Sequence, residues 1–145
     1  RVYDEGSEFE IGKGVVLHES AGDKATIITS GIMVDESLKA YEALQAEGIS
    51  VRVIDMFTWK PLDEELVLKA AKETGAIVTA ENHNTCCGLG SVVANCLAKN
   101  CPTVQEFVGV QDEFGQVGPQ DFLMDTYGLR AANIVEAVKK AISRK

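Results

Sequence analysis

Short runs of β-branched and apolar residues alternate with segments of helical period along nearly the whole chain, and this alternation constrains the fold more than any single motif. Five runs read as strands: Val15-Val16-Leu17-His18, Ala25-Thr26-Ile27-Ile28-Thr29, Ile49-Ser50-Val51-Arg52-Val53-Ile54-Asp55, Ala76-Ile77-Val78-Thr79-Ala80 and Val104-Gln105-Glu106-Phe107-Val108-Gly109-Val110. The fourth is uniformly apolar, as expected of a strand buried on both faces. Ala21-Gly22-Asp23-Lys24 separates the first two runs and reads as the turn of a hairpin, which predicts antiparallel pairing at the start of the chain. Beyond Thr29 the segments between strands are long enough for helical crossovers, which predict parallel neighbours.

The helices are legible from spacing and punctuation. Leu38, Tyr41 and Leu44 recur at helical period with Ala40 and Ala43 between them, while Glu36, Lys39, Glu42 and Glu47 are expected on the opposite, solvated side. Gly48 stops that helix. Pro61-Leu62-Asp63-Glu64-Glu65 announces another: Asp63 as cap, acidic residues in the first turn, then Leu66, Val67, Ala70 and Ala71 as the buried stripe up to Thr74-Gly75. A third runs through Val92, Val93, Cys96 and Leu97, and Pro119 opens a fourth that reaches about Tyr127, with Gly128 closing it. Ile134, Val135, Val138 and Ile142 form the apolar side of a terminal helix, with Lys139, Lys140 and Arg144 opposite. The expected fold is α/β: a three-layer α/β/α sandwich on a mixed five-stranded sheet with one antiparallel strand. Residues 1–13 are read as a lead-in segment and 14–145 as one domain. The abrupt start without Met reads as an excised or processed piece of a longer chain.

Charge narrows the partners. Asp and Glu number 22 against 14 Lys and Arg, a net charge of −8, so no clustered basic surface is present to neutralise phosphates of nucleic acid. No stretch reaches the roughly 18 apolar residues of a membrane span. The four cysteines, Cys86, Cys87, Cys96 and Cys101, contain no Cys-x-x-Cys pair, and two are adjacent, which suits reduced thiols and a cytoplasmic setting.

The densest collection of functional side chains lies in residues 81–91, at the carboxyl end of a parallel strand, where open α/β sheets place their ligands. Glu81, His83, Asn84, Gly88, Gly90 and Ser91 are the candidate ligand or interface residues, and backbone N–H groups at the glycine-rich helix start offer an anion cradle. The competing structural role is a tight turn and close helix–sheet packing through Gly88 and Gly90, with the polar side chains as caps. Zinc needs three or four converging ligands, and with Cys96 among apolar residues His83, Cys86 and Cys87 do not make a set, so no metal site is assigned. A Cys–His nucleophile lacks a nameable orienting group. Gly88-Leu89-Gly90 falls short of the dinucleotide fingerprint. His18 reads as a strand surface residue, Trp59 as an apolar anchor, Asp63-Glu64-Glu65 as helix-start chemistry and Gln111-Asp112-Glu113-Phe114-Gly115 as a solvated loop.

Several stretches, in order, resemble the transketolase carboxy-terminal domain. They are Thr29-Ser30-Gly31 before a helix, Val51 onward through Asp55-Met56-Phe57-Thr58-Trp59-Lys60-Pro61-Leu62-Asp63, Thr79-Ala80-Glu81-Asn82-His83 with Gly88-Leu89-Gly90, then Gly118-Pro119 and Tyr127-Gly128-Leu129. The resemblance runs from about Tyr3 to Ile142. It implies a parent enzyme that moves a two-carbon ketol unit between sugar phosphates on thiamine diphosphate and Mg²⁺, in which this third domain packs on the others and extends a homodimer interface. Its partners would be the N-terminal and pyrimidine-binding domains of the same enzyme, and residues 1–13 would lead in from the latter. The family's Gly-Asp-Gly diphosphate motif is absent, no glutamate is marked as the activating one, and the substrate-phosphate arginine should lie upstream of Tyr3, so Arg1 does not match it. The resemblance therefore assigns no catalytic and no cofactor-binding residue here, and the chain alone is expected to be inactive. Split transketolases, 2-oxoacid dehydrogenase beta subunits and deoxyxylulose-phosphate synthases carry related domains. The turn Phe57-Thr58-Trp59-Lys60-Pro61-Leu62-Asp63 is closer to transketolase. A free-standing small-anion-binding module using residues 81–91 is the alternative of another class.

Overall fold

The computed structural model describes residues 2–145, so Arg1 lies outside the described residues. Five strands, β1 (Val15–His18), β2 (Thr26–Thr29), β3 (Arg52–Asp55), β4 (Ala76–Asn84) and β5 (Val104–Val110), form one sheet in the order β1-β3-β2-β4-β5. β1 is antiparallel to β3 and the remaining pairs are parallel. Five helices cover it: α1 (Met33–Ala46), α2 (Glu64–Thr74), α3 (Leu89–Asn100), α4 (Gln120–Thr126) and α5 (Ala131–Ser143). Period-two alternation sorts the core into two layers. Ile27, Val53 and Val78 face Met33 and Leu44 of α1 with Ile134 and Val138 of α5, while Ile28, Ile54 and Ile77 face Val67 and Ala70 of α2 with Val93 and Leu97 of α3.

The expected hairpin is not formed. β1 does not pair with β2; it crosses to β3, with Val15 opposite Asp55 and Val16 opposite Ile54. Burial decides the placement. All four residues of β2 are buried, which demands a strand on each side, whereas β1 is only half-buried and suits an edge. The Gly22-Asp23 turn serves another purpose: the Asp23 carboxylate accepts from Ser20 N (2.7 Å), Ser20 Oγ (2.8 Å) and Ser50 Oγ (2.8 Å), fastening the connection to the loop that enters β3. The single antiparallel strand is thus present with a different partner. β3 is also shorter than its apolar run, since Ile49, Ser50 and Val51 precede it in that loop.

Helix ends show the same contrast between local and distant signals. Asp63 caps α2 through Leu66 N at 3.2 Å, and Gly75, at φ 70°, ends it in the left-handed conformation. Glu36, expected on the solvated side of α1, is buried instead. Its Oε2 accepts from Ala131 N at 2.7 Å, so it satisfies the first turn of α5, and Lys39 donates to its Oε1 at 2.9 Å. A carboxylate at a helix start is favourable enough to offset the burial.

The outer edge of β5 is closed. Gln111 Nε2 donates to the carbonyls of Phe107 and Gly109, and Arg144 Nη1 to that of Gln105, which leaves few free groups for an added strand. Burial alone would raise the Glu106 carboxyl, but hydrogen bonds from Lys140 and Arg144 outweigh it and hold it below the usual value. Its contribution to stability is therefore present above the unfolded pKa of about 4.3 and is lost as pH falls through the folded value. Glu106→Gln should cost about 1 kcal/mol at neutral pH, with the deficit closing in acid. Urea titrations at neutral and acid pH read this directly; a deficit of the same size at both would mean that the side chain acts through packing.

Candidate functional site

The chain winds from β2 through α1 to β3 on one side, then returns past β2 through α2 to β4. The topological switch point accordingly lies between β2 and β4, at their carboxyl ends. Gly31 and Asn82 flank it: a Cβ on Gly31 would stand 3.5 Å from Asn82 Oδ1. β4 runs four residues beyond the expected Ala80, through Glu81, Asn82, His83 and Asn84, because β5 continues beside it to the pairing of Asn84 with Val110. What sequence reads as the start of a polar loop is the end of a strand.

Glu81 is buried, and its side chain points to the face that carries α3. Its Oε2 accepts from Leu89 N at 2.7 Å and its Oε1 from Gly90 N at 2.8 Å. Burial pushes its carboxyl above the ordinary glutamate value; the two amide bonds and the nearby His83 pull the other way without reversing it. The helix start expected to offer a cradle to an external anion is thus filled by an anion of the chain itself. Gly88 makes the approach feasible. A Cβ there would lie 2.0 Å from Glu81 Oε2 and 2.6 Å from the Asn84 carbonyl oxygen. Gly90 does the same for helix–sheet packing, since its Cβ would meet Phe107 Cδ1 at 2.6 Å and Thr79 Oγ1 at 2.9 Å.

The rest of the loop is tied within itself. Asn84 Oδ1 accepts from Cys86 N, Ser91 Oγ accepts from Cys87 N and donates to the Thr85 carbonyl, and Asn84 Nδ2 donates to Asp112 at 3.3 Å. The structure brings Glu81, Asn84, Gly88, Gly90 and Ser91 into one network that closes the β4–α3 connection. His83 stands apart on the exposed side, its Nδ1 2.8 Å from the Asn84 carbonyl and its ring edge-on to Trp59 at 6.1 Å. Cys86 and Cys87 are exposed free thiols, and Cys96 is buried. Among the described residues no three His, Cys, Asp or Glu side chains converge as metal ligands.

Two further groups belong to this end of the sheet and carry no motif. Asp55, ending β3, is buried and accepts from Tyr3 Oη at 2.7 Å; burial raises both groups, and the hydrogen bond raises Tyr3 further. Asp55 Oδ1 and the Thr29 hydroxyl, in register on adjacent strands, have no hydrogen-bond partner among the described residues. The signal in sequence was an acid and a threonine each closing an apolar strand. Phe9 packs edge-on against Phe57 and Tyr3, so residues 3–9 are fastened over the same end.

This is a doubly wound α/β domain with an antiparallel edge strand, and its best candidate ligand loop is internally satisfied. The chain belongs to the transketolase C-terminal domain family, whose model matches residues 12–134. It is 47% identical over its full length to the 6-deoxy-6-sulfo-D-fructose transketolase subunit of Clostridium sp. (strain MSTE9), covering 44% of that protein. A solved structure described as a split gene transketolase, inactive beta4 tetramer, superposes with a TM-score of 0.92 at 45% identity, over 99% of this chain and 46% of that one. Over 131 residues it is also 37% identical to the 1-deoxy-D-xylulose-5-phosphate synthase of Heliobacterium modesticaldum, covering 20% of that enzyme. The chain thus spans less than half the length of each of these relatives.

Proposed function

We propose that this chain is the carboxy-terminal domain of a thiamine-diphosphate-dependent transketolase, acting in assembly while the chemistry resides elsewhere in the parent. The carrying observation is the full-length similarity to a split transketolase subunit of which it covers under half. The side chains present do not fit the cofactor. Glu81 already takes the amides of the one glycine-rich helix start, and no carboxylate cluster among the described residues suits Mg²⁺. Glu81, His83, Asn84, Gly88, Gly90 and Ser91 are read as a structural closure whose outer side, with His83 and Trp59, faces a neighbouring domain. Residues 1–13 are the lead-in from the pyrimidine-binding domain, and the parent is a cytoplasmic homodimer. The sulfosugar in the name of the Clostridium relative makes a sulfonated ketose a donor to test beside xylulose 5-phosphate.

Combined with the section that carries the thiamine-binding domains, the chain should support ketol transfer from xylulose 5-phosphate or 6-deoxy-6-sulfofructose to an aldose phosphate. Alone it should turn over nothing and give no binding heat with thiamine diphosphate and Mg²⁺. Tight cofactor binding by residues 1–145 would sink the assembly reading. Condensation of pyruvate with glyceraldehyde 3-phosphate would move the parent to the deoxyxylulose-phosphate synthase branch, the second reading that the Heliobacterium similarity supports.

A further inference from the structure

The thiols of the β4–α3 connection take no part in the closure made by Glu81, Asn84 and Ser91. Cys86 and Cys87 are adjacent in sequence, and both are exposed and free. They lie in a turn, and Cys87, at φ 66°, is one of two non-glycine residues in the left-handed region among the described residues. Neighbouring side chains of a strand point to opposite faces; the turn removes that opposition. The backbone is anchored at both residues, because Asn84 Oδ1 accepts from Cys86 N at 2.8 Å and Ser91 Oγ from Cys87 N at 2.9 Å. Both sulfurs therefore reach solvent from one fixed turn.

Within the chain they can pair only with each other. Cys96 is buried in the layer of α2 and α3. Cys101 follows the far end of α3, whose 12 residues put it about 18 Å from the helix start, beyond disulfide reach. Between neighbours the geometry is tight: consecutive Cα atoms stand about 3.8 Å apart, short of the roughly 4.4–6.8 Å that an unstrained disulfide spans. A bond formed there stores strain and is easily reduced, so it suits a reversible mark and not a staple.

We propose that Cys86 and Cys87 form a reversible oxidation site that closes into a vicinal disulfide on reaction with a hydroperoxide. One thiolate attacks a peroxide oxygen and the O–O bond breaks; sulfur is oxidised to the sulfenic acid, and the far oxygen leaves as hydroxide and takes up a proton. The neighbouring thiol then attacks that sulfur, the S–S bond forms and the S–O bond breaks. The departing hydroxide leaves with the thiol's proton, so two thiols and one hydrogen peroxide give one disulfide and two waters. The new ring contains the peptide between the two residues, which must twist to admit the S–S bond. The Cys87 amide belongs to that peptide, so its hydrogen bond to Ser91 Oγ is lost and the β4–α3 connection loosens on oxidation. The site rests on this turn alone and is independent of the proposed function.

Limited treatment of the 145-residue chain with hydrogen peroxide, then alkylation in denaturant and peptide mass mapping, tests this. The segment bearing both residues should lose two hydrogens, resist alkylation at Cys86 and Cys87, and regain both thiols with dithiothreitol. Cys96 and Cys101 should stay open to alkylation. The oxidised chain should melt about 2–4 °C lower and recover on reduction. Cys86→Ser and Cys87→Ser should each show neither the mass change nor the reversible shift. Sulfinic acid at either sulfur with no disulfide, or a disulfide formed only between two chains, would overturn the site. A disulfide with an unchanged melting temperature would overturn its coupling to the connection.

Discussion

Glu81→Ala is expected to lower the unfolding free energy by about 4 kcal/mol. Two buried amides, Leu89 N and Gly90 N, lose the acceptor that Glu81 provides, and each unsatisfied buried donor costs about 1–3 kcal/mol. The carboxylate also complements the positive end of α3. Glu81→Gln keeps one acceptor and turns an NH₂ toward the other amide, so about half the loss should remain. The two variants separate charge from hydrogen bonding through pH. Because burial raises Glu81, the folded wild type binds a proton more readily than the unfolded chain, and its stability declines as pH climbs from about 4.3 through the folded value. The glutamine variant lacks that slope. Opening the helix start should also create the anion site that the wild type closes, so inorganic phosphate should raise the melting temperature of Glu81→Ala and leave the wild type unmoved. A loss below about 1 kcal/mol would mean that water reaches these amides, and the account of a closed loop would fail.

The features legible in sequence share one property: their causes are local. Ile27 and Ile28 face opposite layers because strands alternate, and Asp63 caps a helix three residues away. Those rules operate within a few positions, so five strands, their crossovers and most helix ends could be read directly. Failures occur where the deciding partner is distant. Gly22-Asp23 looks like a hairpin turn, yet its carboxylate is spent on Ser50, beyond a whole helix, and β3 is inserted where the hairpin partner should be. Glu36 sits on the charged side of its own helix by periodicity, but the amide it satisfies is in α5. Glu81 falls between these cases. The residue could be singled out from its place at the end of a parallel strand, whereas its role could not, because a carboxylate near a glycine-rich helix start is equally what a ligand site and a self-closing loop require. Only the direction of the side chain distinguishes them.

Both glutamates serve one physical end on opposite faces of the sheet. A helix that packs on a sheet buries the amides of its first turn, and a carboxylate from a neighbouring element satisfies them without water. Self-satisfaction of this kind leaves little polar capacity for a small ligand at the starts of α3 and α5, and the unpartnered polar atoms at the strand ends are instead Asp55 Oδ1 and the Thr29 hydroxyl.

Gly88→Ala should be nearly as damaging as loss of the carboxylate, about 3 kcal/mol or more, and the pair should be strongly non-additive. The added methyl would stand 2.0 Å from Glu81 Oε2 and 2.6 Å from the Asn84 carbonyl oxygen. Neither neighbour can give way cheaply. The carboxylate is held by two amides, and the carbonyl belongs to the last residue of β4. Relief therefore requires moving the helix start or breaking the cap, and overpacking at a rigid site costs about 1–3 kcal/mol before the lost hydrogen bonds are counted. In a Glu81→Ala background the nearest clash is gone and the cap is already broken, so Gly88→Ala should add only the strain against Asn84. A double-mutant cycle by chemical denaturation should show the double variant more stable than the sum of the single losses by about 2 kcal/mol. Simple additivity would show that Gly88 is required for its backbone alone, independently of the carboxylate it admits.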